Sequence, residues 1–368
     1  MKARAAVFFE PGRPLEVREV EVEAPRAGEV LVRMAAGGVC HTDLHVMHGQ
    51  FAAPRPAILG HEGAGVVAAV GAGVASVRPG DHVVPLWRIA CGECEYCTDA
   101  RPALCPAGLE VRRTGRLPDG TTRFRLGGEE LKHFAGVSSF SEYSVIPEKG
   151  VLAIPKDIPL EKAALLGCAV ITGIGAAIHA AKVRPGSRVA VIGAGGVGLN
   201  VVQGASLAGA EQIIAVDLLE SKLAHARRFG ATHAVLASRG TDLVAAVREL
   251  TGGRGVDFAF DVVGLPETVR QAYEVLAKRG VAVAVGIPPN QAEVSVPIMG
   301  LVYDEKVLTG SLYGSSRPRL DIPRLVALYR AGKLKLDELL SRSWPLDQIN
   351  EAYGALERGE VARAVVTF

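Results

Sequence analysis

Aromatic residues are scarce in this chain: they make up 5% of its 368 residues, while hydrophobic residues make up 49%. The cores must therefore be filled by Ala, Val, Leu and Ile. The 43 glycines call for many turns and close backbone approaches. An excess of charge of one sign is also missing. Lys and Arg number 41 against 39 Asp and Glu, a formal net charge of +2, which argues against a nucleic-acid or polybasic membrane partner. The opening "MKARAAVFFEPG" has too short an apolar run for a signal peptide. Later apolar runs are broken by charge and glycine, so none of about 20 residues reads as membrane-spanning. There is no internal repeat and no low-complexity tract. What is left is a cytoplasmic protein long enough for two domains.

Cysteine is sparse as well, but its six copies are not scattered. Four fall in "CGECEYCTDARPALC", as Cys91, Cys94, Cys97 and Cys105. Nested disulfides at this spacing would be strained, and a reducing cytosol would not keep them. The spacing suits a tetrahedral four-thiolate zinc site, which has no open position and is structural. Cys40 and Cys168 remain. Between them "LGHEGAGVV" offers His61 and Glu62. One histidine and two cysteines leave a fourth position open on zinc, a pattern of catalytic sites. Taken alone, Cys168 reads more readily as a buried small hydrophobe than as a ligand.

"GVCHTDLHVMHG", Gly38 to Gly49, carries Cys40 together with His41, Thr42, Asp43, His45 and His48. Singly, Thr42 reads as a helix cap, Asp43 as a turn residue and the histidines as solvated side chains. Further on, "VAVIGAGGVGLNVV" sets Gly193, Gly195 and Gly198 between a buried strand and an apolar helix. A second strand ends at Asp217, 19 residues past Gly198. That context makes the glycine loop a dinucleotide fingerprint. The first glycine turns the chain, the second admits a pyrophosphate, and the third lets helix and strand pack. Asp217 would take the ribose hydroxyls and repel a 2′-phosphate, favouring NAD. Strands in "VDFAFDVVG" and "VAVAVGIP" alternate with helices in "ESKLAHARRFGA" and "PETVRQAYEVLAKRG", the last ending at Gly280. The rhythm predicts an α/β fold with a doubly wound parallel sheet. The first third is β-rich. The closing "ARAVVTF" reads as a strand that returns to it.

These motifs, with the long segment "GLEVRRTGRLPDGTTRFRLGGEELKHFAGVSSFSEY", resemble the zinc-dependent alcohol dehydrogenases of the medium-chain dehydrogenase/reductase superfamily, in the branch that keeps a long loop. The resemblance covers nearly the whole chain. It implies a GroES-like catalytic domain over 1–169 and 313–368 and a Rossmann NAD-binding domain over 170–312. Cys40, His61 and Cys168 match the catalytic zinc ligands, and the four-cysteine lobe matches a second, structural zinc. Glu62 matches an acidic neighbour of the metal, and Asp43 the carboxylate that orients the ligand histidine. His41, Thr172, Gly193, Gly195, Gly196, Val197, Gly198, Asp217, Lys222 and Arg363 match cofactor positions. His41 and Arg363 would serve the pyrophosphate, and Lys222 the adenosine ribose. Thr42 and His45 match a proton relay away from the alcohol, and Trp87 a substrate-pocket aromatic that could equally be core. His48 matches nothing.

The implied reaction is reversible oxidation of a primary alcohol to its aldehyde, with zinc as Lewis acid and NAD as hydride acceptor. The positions that read glutathione in one branch fall on Phe51 and Leu109, both apolar. That favours a hydrophobic, aromatic or medium-chain alcohol. The alternative is an S-(hydroxymethyl) adduct of glutathione or mycothiol, for which Arg112 and Arg113 supply charge. A non-catalytic zinc or nucleotide-binding protein is the remaining reading, disfavoured because every zinc ligand is present. Long-loop branches are often dimers, so a homodimer is expected over a tetramer.

Overall fold

The computed structural model describes residues 1–289 and 291–368. The chain divides into two compact units. One comprises Met1–Cys168, Arg317–Gly332 and Leu336–Phe368; the other comprises Ala169–Ser316 and Lys333–Lys335.

The first unit is rich in strands because its apolar residues come in short β-branched runs between turn residues. Strands Lys2–Phe8, Glu16–Val22, Phe124–Leu126, Glu129–His133 and Ala57–Ile58 close into a barrel. In a second sheet, Val151–Ile154, His82–Pro85, Gly63–Val70, Glu29–Val39, Arg363–Thr367 and Leu340–Pro345 are successive neighbours, and Tyr143–Pro147 pairs with Glu29–Val39. Two antiparallel registers position the chemistry: Gly37 lies opposite Gly63, and Val39 opposite Ala364. They bring Gly38–Cys40, His61–Glu62 and Arg363 to one end of the sheet. The long segment 108–143 is pinned from within. Fully buried Arg123 donates from Nε and Nη2 to the two carboxylate oxygens of Glu29, at 2.8 and 2.6 Å. Removing one partner of such a buried pair costs about 3–5 kcal/mol, so this loop is a fixed wall.

The second unit holds six parallel strands in the order His233–Leu236, Gln212–Asp217, Arg188–Ile192, Val256–Asp261, Leu276–Ala284 and Val307–Gly310. This is the doubly wound order, in which the first strand sits centrally and the chain reverses direction beside it. One expected helix is shorter than its sequence pattern. The run through "PETVRQAYEVLAKRG" stops at Glu274 rather than Gly280. Val256 N–H bonds the Val275 carbonyl at 3.0 Å and Leu276 pairs with Val256, so the chain is already in the sheet. A second departure concerns membrane spans. The helical run Leu160–Ala180 is long and apolar enough to cross a bilayer, but 78% of its 18-residue apolar window is buried inside the protein. Glycines at 167, 173 and 175 break the run in the sequence. In the structure, Gly173 is close-packed, since a Cβ there would lie 2.4 Å from the Val197 carbonyl oxygen.

Candidate active site

Cys40, His61, Glu62 and Cys168 meet in the first unit. One donor atom from each lies within 4.8 Å of the others, and all four residues are buried. Glycines make the room. A Cβ on Gly38 would fall 2.6 Å from Glu62 Oε2, and one on Gly167 would fall 2.9 Å from the Pro85 carbonyl. Gly60 takes a positive φ of 89°, and its N–H donates to Asp43 Oδ1 at 3.0 Å. Asp43 is fully buried, and its Oδ2 stands 2.9 Å from His61 Nδ1. That contact fixes the ring and leaves Nε2 for a metal. Cys168 lies in a wide-turned π segment, Leu166–Val170, a form of helix found mostly at functional sites.

The two thiols titrate as a pair. A hydrogen bond between them holds Cys40 well below the ordinary thiol range, and the same bond together with burial holds Cys168 well above it. Burial opposes charge on His61, but Asp43 and Cys40 outweigh it and raise its proton affinity. Such a set suits a divalent cation, which replaces the shared protons. Glu62 completes the cluster. Burial pushes its carboxyl up to about 7, against the pull of Arg363, with which it is ion-paired. Arg363 is itself buried, and its Nε has no hydrogen bond among the described residues. The Tyr353 hydroxyl is a group sequence reasoning passed over. It is buried and electrostatically coupled to Asp43, Cys40 and Glu62, and none of the described residues hydrogen-bonds it.

The helix His41–Met47 follows Cys40 directly. Thr42 and His45 are three residues apart on it and so share a face. His45 is half-buried, with Nδ1 hydrogen-bonded to Gln50 and its ring edge-on to Phe51 at 5.0 Å. His41 is exposed, with its ring 6.4 Å from that of His45. His48 is on the surface, 3.7 Å from Glu357. Trp87 and Phe134 flank His61, each 6.0 Å away between ring centroids. Phe134 belongs to the long loop and carries no motif of its own.

The cysteine lobe is a separate centre. Cys91 and Cys97 Sγ are 3.9 Å apart and Cys94 and Cys105 Sγ 3.8 Å apart. Disulfides need about 2.0 Å, whereas zinc–sulfur bonds of about 2.3 Å in a tetrahedron need sulfurs about 3.8 Å apart. The lobe therefore fits zinc. Cys91 N–H points at Cys105 Sγ and Cys94 N–H at Cys91 Sγ, both at 3.3 Å. Backbone N–H groups from Glu93 and Cys94 lower Cys91 to about 6, while burial pushes Cys97 up to about 12.

In the second unit, the glycine loop has the form a dinucleotide needs. Gly193 has φ of 98°, and its N–H bonds the Val216 carbonyl at 2.8 Å. A Cβ on Gly195 would meet nothing within 4 Å, while one on Gly198 would fall 1.8 Å from the Gly193 carbonyl. Open space lies at the middle glycine and tight packing at the last. Gly196 and Val197 begin the helix Gly196–Leu207, whose N-terminus favours phosphate. Asp217 Oδ2 accepts the Ala194 N–H at 2.8 Å, and Lys222 Nζ stands 4.0 Å from Oδ1. Thr172 is buried, and its hydroxyl has no hydrogen bond among the described residues.

Two family models match the chain: the alcohol dehydrogenase GroES-like domain over residues 26–156 and the zinc-binding dehydrogenase over residues 196–330. The alcohol dehydrogenase class-3 of Cereibacter sphaeroides is 43% identical to it, with 100% of both chains covered. The chain belongs to the zinc-dependent alcohol dehydrogenases. It is an oxidoreductase of the medium-chain superfamily, using zinc and NAD on a small-molecule substrate. An S-(hydroxymethyl)glutathione dehydrogenase of Paracoccus denitrificans is 42% identical, again over 100% of both chains. Among solved structures, the benzyl alcohol dehydrogenase of Acinetobacter calcoaceticus is 35% identical, with a TM-score of 0.95, covering 100% of this chain and 99% of that one.

Proposed function

We propose that this dehydrogenase oxidises the hydroxymethyl carbon of a thiol adduct, and that Cys40, His61 and Cys168 hold the zinc at which this occurs. The observation that carries the reading is the buried three-ligand set with a carboxylate-oriented histidine. Two thiolates and a neutral imidazole just balance a divalent metal, and three ligands leave it a position for the substrate. When bound, zinc supplies Lewis acidity to the alcohol oxygen and NAD supplies the hydride acceptor. The chain does the rest. Asp43 orients His61. Glu62, held by Arg363, is the acid clustered with the three metal ligands. Thr42 accepts the alcohol proton by hydrogen bond, and half-exposed His45 on the same helical face passes it to solvent. Gly193, Gly195, Gly196, Val197 and Gly198 receive the pyrophosphate, Asp217 and Lys222 the adenosine ribose, and Thr172, His41 and Arg363 complete the cofactor contacts. The Thr172 hydroxyl and Arg363 Nε have no hydrogen bond among the described residues, which supports the assignments of those two residues. Cys91, Cys94, Cys97 and Cys105 hold a structural zinc. The matching domains are residues 1–169 with 313–368 for catalysis and 170–312 for NAD.

The names of the relatives at 42–43% identity favour the thiol adduct over the simple hydrophobic alcohol that Phe51 and Leu109 alone favour. A second reading, an aromatic alcohol, rests on the rings of Phe51 beside His45 and Trp87 beside His61, and on the likeness to the benzyl alcohol enzyme. Turnover of the S-(hydroxymethyl) adducts of glutathione and mycothiol, compared with benzyl alcohol and hexanol, decides between them. A kcat/KM at least tenfold higher for an adduct supports the first, and the reverse order supports the second.

We also propose a cytoplasmic homodimer. All six cysteines are free, as a reducing compartment keeps them. Ile298, Met299, Val302 and Tyr303 expose large apolar side chains next to the edge strand Val307–Gly310, a surface that a second copy would cover. Light scattering of the intact protein gives the mass: twice the chain mass is expected, and four times would indicate a tetramer.

A further inference from the structure

One cation beside the catalytic centre, Arg112, makes no hydrogen bond or ion pair among the described residues. The helix Pro106–Thr114 packs against the walls of the metal site. Gly108 lies so close to Ile89 that a Cβ would fall 2.6 Å from its carbonyl oxygen. Val111 Cγ1 would lie 3.0 Å from a Cβ on Gly136. Two residues back from each of these contacts stand Trp87 and Phe134, the rings that flank His61. Arg112 follows Val111 and is half-buried, near enough for its charge to interact with Asp43, Cys168 and Arg88.

Its neighbours are accounted for. Arg88 donates to the Ala103 carbonyl at 2.9 Å, lies 5.8 Å from the Trp87 ring centroid and interacts with Cys105. Arg113 holds Glu110 through two bonds of 2.7 and 3.0 Å. Asp43 is engaged by Gly60 and His61. Arg112 has no hydrogen bond or ion pair among the described residues. A guanidinium stripped of part of its water and set beside another one is costly unless an anion completes it. Its planar fork fits a carboxylate through two parallel hydrogen bonds. Leu109, three residues earlier on the same helix face, is 56% exposed and offers an apolar surface next to that charge.

We infer that Arg112 anchors a carboxylate on the substrate, so that the preferred alcohol is an anion with an apolar stem. This rests on the dehydrogenase reading above. It names Arg112 as the residue that sets specificity, for a thiol adduct and for an aromatic alcohol alike.

The test uses the full-length, zinc-loaded protein and its Arg112→Ala and Arg112→Lys variants. With NAD, kcat/KM is measured for 4-(hydroxymethyl)benzoate against benzyl alcohol, and for the hydroxymethyl adduct of glutathione against that of its diethyl ester. Separately, the Kd of benzoate is measured by calorimetry. We expect Arg112→Ala to lose roughly 10- to 100-fold more on the carboxylated member of each pair than on the neutral one, the size of a charged hydrogen-bonded contact. The loss should fall on KM rather than kcat, benzoate should weaken by a similar factor, and Arg112→Lys should recover part of it. Equal losses on charged and neutral members, or an unchanged benzoate Kd, would overturn the inference. If the wild type oxidises none of these alcohols, the functional reading fails, and the benzoate titration still decides the role of Arg112. An effect confined to one pair supports the anchor for that kind of substrate and overturns it for the other.

Discussion

Two sulfur-rich centres lie in the same unit and differ in almost every other respect. The cysteine lobe takes all its donors from one short loop, Cys91 to Cys105, and only Cys105 is fully buried. The other centre draws Cys40, His61 and Cys168 from two strand ends and a π segment, and all are buried. Charge separates them further. Four thiolates outweigh the two charges of zinc, so the lobe with its metal is anionic and saturated. Arg88 near Cys105, and Lys149 Nζ, 2.6 Å from the Cys91 carbonyl, face it. Two thiolates and an imidazole leave zinc neutral, with its Lewis acidity unspent. The number of sulfurs thus sets whether a zinc site stabilises a fold or polarises a substrate. A carboxylate behind the ligand histidine, present at His61, has no counterpart where every ligand is sulfur.

The contrast can be broken at several points. His61→Ala should lower kcat/KM by about 10³-fold or more, the scale of several kcal/mol of metal polarisation. Cys97→Ser should lower the melting temperature while the protein still folded retains most of its kcat. Comparable kcat losses in both variants would erase the distinction. Asp43→Asn should cost 10- to 100-fold in zinc affinity or activity, measured by competition with a chelator and by steady-state rates. His45→Gln should slow hydride transfer about tenfold on the acid side. An unchanged pH profile would remove His45 from the proton route.

Proton release should also distinguish the centres. Cys168 and His61 hold protons more tightly than free side chains do. Zinc entering there must expel them, so its affinity at that centre falls as pH falls, about tenfold per pH unit for each proton displaced. Calorimetry in buffers of different ionisation enthalpy counts those protons. A release below one per site would mean that the metal-free pair is already bare.

Much of this was legible in the sequence because the chemistry is local there. The cysteine lobe sits on one loop, and Gly193, Gly195 and Gly198 sit between a strand and a helix, so spacing alone carries their geometry. The candidate catalytic set was legible as residue types, but its assembly depends on sheet register: Gly37 opposite Gly63 and Val39 opposite Ala364. Periodicity does not encode register. The structure also gives His48 a place, near Glu357 on the surface, and no role in the site. Tyr353, Phe134 and the isolation of Arg112 were invisible, because each follows from packing between segments far apart in the chain. The helix overrun to Gly280 has the same cause, since pairing of Leu276 with Val256 overrides a helical pattern.

The most direct test of the central claim is the zinc content of the Cys168→Ser protein, measured with its activity. The wild type should carry two zincs per chain. The variant should keep one, remain folded and lose activity by about 10³-fold or more. Two zincs retained with activity near wild type would mean that Cys168 is a packed core thiol and that the reacting centre lies elsewhere.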